Sequence, residues 1–419
     1  MKYQLKYGEG TIVFDAPPRW SVQLIDHARP EPCSFEKKLG EVLDNPIGSE
    51  PFNDWLRYQD LLIIVSDVTR YSGAERFLPP LCERFLKGKK AQVLFALGNH
   101  RKQTDEEKRD LVSPGVYDAF PCIDHDCFDD SVNTFLGRTP SGLDISINKA
   151  LLDKEAAIVT GAIGFHYLAG FSGGRKALFP GISSYDTILG VHKTVFYPDK
   201  PGKHHRVQSG MLSQNPMHEA MLEALALVRK PLFLINTVVD DEGTLLNVFA
   251  GDVRQAHEAG CSWYGDQFMV TVKEKADVAI VSAGGYPKDI NFIQAHKALE
   301  HAKGGVKDGG TIILSVQCRD GCGTNDFLRW FDYPSLEEME PYVRKSDKVY
   351  AQTAYSTRMK AEKYRIILVS DLGEAIVRAM GLVPARSLSE ALTQVDMGRD
   401  LLCYVMPEGA KTLVRGEES

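Results

Sequence analysis

Lys176 stands where a lysine can do chemistry. It follows Gly173, Gly174 and Arg175 and precedes the apolar run ALFPG, inside the stretch GFSGGRKALFPG of residues 170–181. A lysine drawn out of water gives up its proton more readily and becomes a nucleophile able to hold a cofactor covalently; a pyridoxal phosphate Schiff base is the generic case. The glycines let backbone N–H groups approach an anion, and Ser172 and Arg175 add donors. A nucleotide P-loop is ruled out, because Arg175 stands where that pattern needs glycine and Ala177 where it needs a hydroxyl for magnesium. A phosphate-bearing cofactor stays open, and so does a plain flexible turn with exposed cations.

Histidines flank this stretch. His100, in LGNHR, and His166, in GAIGFHY, each follow an apolar run, and two imidazoles at strand ends suit a general acid and base on opposite faces of a substrate. His192 follows a short helical stretch and suits a metal ligand. SDVTR (66–70) ends another run with Asp67 and Arg70, and the guanidinium suits a carboxylate or phosphate held bidentately; a structural Asp–Arg pair is the plain alternative. After GGYP (284–287), Gln294 and Lys297 share a helix face and offer one neutral and one cationic donor. His204, His205, His301 and Lys303 read as solvated, and so do Arg358 and Lys360.

The elements that must position these residues are legible as seven apolar runs, at 60–67, 91–98, 156–162, 231–240, 276–285, 310–316 and 364–371. Rich in Val, Ile and Leu, and separated by helical patterns, they predict an α/β fold: two domains with mainly parallel, Rossmann-like sheets flanked by helices. Sites of such folds lie beyond the carboxyl ends of the strands, which places this one in the cleft between the domains. Thr104 and Glu107 form a helix-opening capping pair. The expected division is 1–269, carrying Lys176 and the histidines, then 270–390 closing over the substrate, with 391–419 returning to the first unit.

Composition excludes several classes. With 419 residues, 43% hydrophobic and 25% charged, the chain is a globular protein of more than one core. Its net charge of −7, without a basic stripe, argues against nucleic acid as a partner. The N-terminus lacks a signal-like apolar run and no stretch reaches membrane-spanning length, so a cytoplasmic protein with free thiols is expected.

Taken together, SDVTR, GNHR (98–101), DHD (124–126), GFHYLAGFSGGRK (164–176) with PGI (180–182) and His192, and GGYP with Gln294 and Lys297, resemble the nickel-dependent lactate racemase family. The motifs run in order over residues 66–297, and the spacing of His166, Lys176 and His192 is the specific part. The resemblance implies a nickel pincer nucleotide, the pyridinium-3-thioamide-5-thiocarboxylic acid mononucleotide, tethered at Lys176. It implies Ni2+ held by a carbon and two sulfurs of that group, with His192 as the protein ligand. The α-hydride of a small 2-hydroxy acid would pass to the cofactor and return to either face of the 2-keto acid. His100 and His166 match the histidines that exchange the hydroxyl proton, one for each enantiomer. Arg70, Gln294 and Lys297 match positions that hold the substrate carboxylate. Asp67, Thr69, Ser172, Gly173, Gly174 and Arg175 would secure the cofactor, its phosphate above all.

A covalent tether suits a hydride acceptor that must stay within reach of one carbon, and soft donors with one imidazole suit square-planar nickel. The expected activity is that of a racemase or epimerase at C2 of lactate or a related 2-hydroxy acid, supplied by cofactor-biosynthesis enzymes. The sequence departs from the pattern at Ile293, where lactate racemases tend to have Tyr, and at 351–360, which lacks an expected Trp; both concern the pocket wall. A cofactor-free binding protein of the same family and a lysine-dependent enzyme of the pyridoxal phosphate type are the alternatives.

Overall fold

Each of the seven apolar runs forms a strand, as suits Val, Ile and Leu runs covered on both faces. The computed structural model describes residues 2–346 and 348–417, and of Val349 the backbone alone. It divides into two units, Met1–Ala28 with Asp199–Gly202 and Gln267–Ser419, and Arg29–Pro198 with Lys203–Asp266. Among the described residues no helix is long and apolar enough to cross a membrane, and all eight cysteines are free.

Three strands open the chain: β1 (Lys2–Tyr7) and β2 (Gly10–Asp15) pair antiparallel, and β3 (Trp20–Leu24) follows. The unit that starts at Arg29 then lays down β4 (Asp60–Ser66), β5 (Lys90–Ala96), β6 (Cys122–Asp124), β7 (Ala156–Ala162), β8 (Leu232–Val239) and β9 (Leu245–Gly251). Their order is β9-β8-β7-β4-β5-β6, parallel except for the β8–β9 hairpin. Because β5 and β6 lie on one side of β4 while β7 lies on the other, the connections reverse between β4 and β7. That reversal opens a crevice at the carboxyl ends of the strands, where doubly wound sheets bind ligands. One face of this sheet buries Leu61, Ile63, Val65, Phe95 and Phe233 against Phe77 and Leu78.

Four helices of this unit bear on the site. The first, α1 (Asp105–Val112), opens with the expected capping box, Thr104 with Glu107. The others are α2 (Tyr185–Lys193), α3 (Pro216–Ala226) and α4 (Gln255–Phe268).

The remaining unit is built on β10 (Ala276–Ser282), β11 (Val306–Ser315), β12 (Arg365–Val369), β13 (Val383–Ala385) and β14 (Leu401–Met406). With β3 they form a fully parallel sheet in the order β13-β12-β11-β10-β14-β3. Here the structure departs from the expected division. Residues 391–419 do not return to the unit that carries Lys176; β14 inserts between β10 and β3. The N-terminal strands belong to the same unit, because Leu5, Phe14 and Trp20 bury their apolar faces against Val278, Ile280 and Ile313. The C-terminal part of this unit begins at Gln267.

This unit also overturns two expectations of solvated side chains. On α5 (Phe292–Ala302), His301 is buried, its Nδ1 3.0 Å from the Gly409 carbonyl. On α6 (Val349–Lys363), Lys360 is buried and donates to Glu300 Oε2 and to Ser356 O and Oγ, each at 2.7 Å. A helical period places these residues on a face; whether another helix covers that face is decided by distant chain.

Replacing Ile63, wholly buried on β4, with Ala leaves a cavity and is expected to cost about 2–5 kcal/mol. An unshifted thermal unfolding midpoint for Ile63→Ala would contradict this placement of the core.

Candidate active site

The carboxyl ends of β4, β5 and β7 deliver Asp67, His100 and His166, respectively. Asp67 is buried, and its carboxylate accepts three hydrogen bonds: from Thr69 N at 2.9 Å and Thr69 Oγ1 at 2.6 Å on Oδ1, and from His100 Nδ1 at 2.5 Å on Oδ2. Burial works to raise the Asp67 pKa. The hydrogen bonds from His100 and Thr69, with the charges of His100 and Arg70, outweigh it and hold the carboxyl below its ordinary value. An ionised Asp67 fixes the His100 proton on Nδ1, so Nε2 presents a lone pair.

His166 is set the other way. Its Nδ1 accepts the backbone N–H groups of Leu168 at 3.2 Å and Ala169 at 3.1 Å, which places the ring proton on Nε2. One histidine thus presents a base and the other a donor. At His192, on the last turn of α2, Nδ1 donates to the Ile188 carbonyl at 2.8 Å, leaving the lone pair on Nε2. Burial, followed by the positive charges of Lys176 and Arg70, lowers its pKa to about 4. A neutral imidazole whose second nitrogen is anchored on a carbonyl is the form that ligates a metal.

The glycine-rich stretch differs from the sequence reading. Gly170, Gly173 and Gly174 all have positive φ, and their lack of side chains is used against the protein itself. A Cβ on Gly170 would fall 2.1 Å from the Met211 carbonyl oxygen, and one on Gly174 would fall 2.5 Å from His257 Cγ. Gly174 N donates to Asn236 Oδ1 at 3.2 Å, and Ser172 Oγ to the Ala162 carbonyl at 2.9 Å. Arg175, expected to meet a cofactor phosphate, is wholly buried; it donates to the Ala169 carbonyl at 3.1 Å and to His257 Nε2. Asp67 and Thr69, expected on the cofactor, are engaged with His100 and with each other.

Lys176 follows Arg175 on a short 3-10 turn, Gly174–Ala177. It is half-buried. Desolvation, then the guanidinium charges of Arg70 and Arg175, pull its pKa well below the ordinary lysine value. Its amine is therefore nucleophilic without any neighbouring base. Arg70 itself is exposed just beyond β4. Gln294 and Lys297 lie on α5 of the other unit, where Lys297 Nζ donates to Gln294 Oε1 at 2.7 Å.

One positioning residue escaped the sequence reading. Gln103 is buried and accepts from Val68 N at 2.8 Å through Oε1, while its own N and Nε2 donate to Asp124 at 2.9 and 3.1 Å. It straps the Asp67–Arg70 turn to β6. The only sequence signal was Asp124 in the DHD motif, without a hint of its partner. His125 of that motif is buried too, 2.9 Å from the Ser183 carbonyl and 3.0 Å from Asn148 Nδ2.

The residues fit a tethered, metal-bearing group by their donor chemistry. An amine whose proton is loosened, a neutral imidazole anchored through Nδ1 and the exposed guanidinium of Arg70 favour an anionic group fixed at Lys176. Among the described residues no set of three or more His, Cys, Asp or Glu gathers to hold a metal. A metal at His192 would thus take its other donors from the bound group.

Sequence models of the lactate racemase N-terminal and C-terminal domains match residues 7–202 and 271–414. The chain is 30% identical to the lactate racemase of Thermoanaerobacterium thermosaccharolyticum, covering 98% of this chain and 99% of that one. It is 31% identical to the lactate racemase of Lactiplantibacillus plantarum, covering 91% of each. The structure of the lactate racemase apoprotein from T. thermosaccharolyticum superposes with a TM-score of 0.89 at 29% identity, over 99% of this chain and 100% of that one. A protein from Thermotoga maritima, at TM-score 0.62 and 18% identity, is alike in fold alone; the match covers 93% of this chain and 100% of that one.

Burial also lowers the pKa of His218 to about 3 and of His301 to about 4, against an ordinary value of 6.5. With His192, these groups bind protons in the unfolded chain that they refuse when folded. Their stability contribution is therefore present above pH 6.5 and is lost as pH falls toward about 4. The thermal midpoint is expected to drop between about pH 6.5 and 5, above the range where ordinary carboxylates titrate, with a shallower drop in His192→Gln. A flat midpoint across that window would refute neutral burial of these rings.

Proposed function

This chain belongs to the lactate racemase family, and on that premise we propose that it is an isomerase inverting C2 of a 2-hydroxy acid, lactate or a relative of it. The observation that carries the reading is the opposed state of two imidazoles that follow strands of the unit carrying Lys176: a lone pair on His100 Nε2 and a proton on His166 Nε2.

Lys176 is the tether and His192 Nε2 the protein ligand of a nickel pincer nucleotide, which when bound supplies a reversible hydride acceptor for C2. His100 Nε2 takes the hydroxyl proton of one enantiomer, and the Asp67 carboxylate behind it stabilises the imidazolium that forms. His166 presents Nε2–H to the substrate oxygen from the other side and polarises the keto form, as a neutral imidazole can. To take the hydroxyl proton of the opposite enantiomer, the His166 ring must first move its proton to Nδ1. That step forfeits the hydrogen bonds from Leu168 and Ala169, so the two directions differ in what they ask of the protein. Arg70 holds the substrate carboxylate through its fork of donors, and Gln294 with Lys297 adds a neutral and a cationic donor. Thr69 and Gln103 act at one remove, keeping Asp67 and its turn in place. The cofactor would come from its biosynthetic enzymes, and the reaction is proposed to be cytoplasmic.

Two measurements test the proposal. Produced together with the cofactor-making enzymes, the chain is expected to show a mass increment on the peptide containing Lys176 and stoichiometric nickel. It should also racemise at least one member of a panel of single-enantiomer 2-hydroxy acids. An unmodified peptide with no racemisation of any member would end this reading. The panel extends beyond lactate because Ile293 departs from the residue, Tyr, that lactate racemases tend to have at that position. In the active protein, His100→Ala and His166→Ala are each expected to lower initial rates by about 10²-fold or more, unequally in the two directions. Small and equal losses in both would contradict the division of roles.

A further inference from the structure

Arg175 is the most deeply buried cation of the unit that carries the candidate site, with no exposed surface. Buried guanidinium groups are ordinarily matched by a carboxylate, and this one is not. Among the described residues it forms no salt bridge; its partners are the Ala169 carbonyl and the neutral ring of His257, and its Nε is unpartnered. His257, on α4, is held neutral by burial and then by the charge of Arg175, and it too is buried. Its Nε2 accepts from Arg175; its Nδ1 lies 3.4 Å from Asn236 Nδ2, and Cys261 Sγ, one turn along the helix, lies 3.5 Å from both ring nitrogens. Gly174 lets the ring lie this close, since a Cβ there would overlap it. The arrangement preserves a full positive charge in a region of low dielectric, next in sequence to Lys176 on one tight turn.

We propose that Arg175 is a positioning residue whose unneutralised charge repels a proton from the Lys176 amine and so keeps that amine nucleophilic for attachment of its cofactor. The inference rests on the reading of Lys176 as the tether. It adds the reason for a cation in that place, which phosphate binding does not supply because Arg175 is sealed from the site by its own partners. The groups that face the turn and Lys176 from the packed elements are few. Arg70 follows β4, His192 lies on α2 and His218 on α3; α4 brings His257, the buried thiol of Cys261, and Glu258, which pairs with Arg254 and forms no salt bridge to Arg175, while β7 and β8 bring no ionisable side chain. Burial keeps the three rings neutral, so Arg70 and Arg175 carry the charge that acts on the lysine. Arg70 is exposed and screened by water; Arg175 is not.

The test reads Lys176 in the chain produced without cofactor, by the pH dependence of its acetylation with acetic anhydride, quantified on the Lys176 peptide by mass spectrometry. Below the midpoint of the labelling profile, each pKa unit changes the reactive fraction about tenfold. Arg175→Gln, which keeps a donor for Ala169, is expected to move that midpoint up by about one pH unit or more and to slow labelling about tenfold below the parent's midpoint. Arg175→Lys, which keeps the charge, is expected to stay within about threefold of the parent. A second pair leaves both cations untouched in case the first variants fold poorly. His257→Glu gives Arg175 a neutralising partner and is expected to slow Lys176 labelling as Arg175→Gln does, while His257→Gln keeps a neutral acceptor and leaves it unchanged. A merely structural Arg175 would make the two substitutions at 175 alike and His257→Glu silent, and that result overturns the proposal. Absence of an adduct on Lys176 in the cofactor-loaded protein would defeat the tether reading instead, leaving the ionisation result standing on its own.

Discussion

In the parallel register of the Lys176-bearing sheet, Ile64 of β4 pairs with Leu94 of β5 on one side and Val159 of β7 on the other. The site depends on this three-strand alignment. Three residues beyond Ile64 comes Asp67, six beyond Leu94 comes His100, and seven beyond Val159 comes His166. A slip of one residue between β4 and β5 would move each buried side chain of the slipped strand to the opposite face and carry the Asp67–His100 hydrogen bond out of reach. The register is pinned by continuous burial and by Thr160 Oγ1, which donates across the sheet to the Ile64 carbonyl at 2.9 Å.

On that frame the polar groups are arranged by subtraction. Each ionisable ring has one nitrogen committed to the protein, and what the commitment leaves defines its chemistry. Asp67 takes the Nδ1 proton of His100; two backbone N–H groups fill the Nδ1 lone pair of His166; the Ile188 carbonyl takes the Nδ1 proton of His192. Three histidines of identical intrinsic chemistry thereby present different atoms: a lone pair on His100 Nε2, a proton on His166 Nε2 and an Nε2 lone pair on His192. Electrostatics follows the same rule, since burial alone neutralises His192 and the cations beside it reinforce the effect.

The glycine-rich stretch shows where local sequence misleads. Its composition points to backbone amides cradling an anion, yet Gly170 and Gly174 are there to let Met211 and His257 approach, and Arg175 turns inward. Glycine marks close approach without saying what approaches. The same limit applies to Lys360 and His301, charged or titratable residues on helices whose covering surfaces come from far along the chain.

The sequence by itself determined the strands, the parallel α/β class and the order of the candidate residues along the chain, because these follow from apolar runs, capping pairs and spacing along one chain. It held Lys176, His100, His166 and His192 in plain view. Only the tertiary structure decided which unit the chain ends join, which nitrogen of each imidazole carries the proton, and that Gln103 with Asp124 supports the Asp67 turn. At His166 and His192 the deciding hydrogen bonds are local and depend on the backbone turn that forms there; the other outcomes turn on contacts between residues tens to hundreds of positions apart, as with Asp67 and His100 or β3 beside β14. Pairings of that range leave no period in the sequence, since neither partner's neighbours record the other.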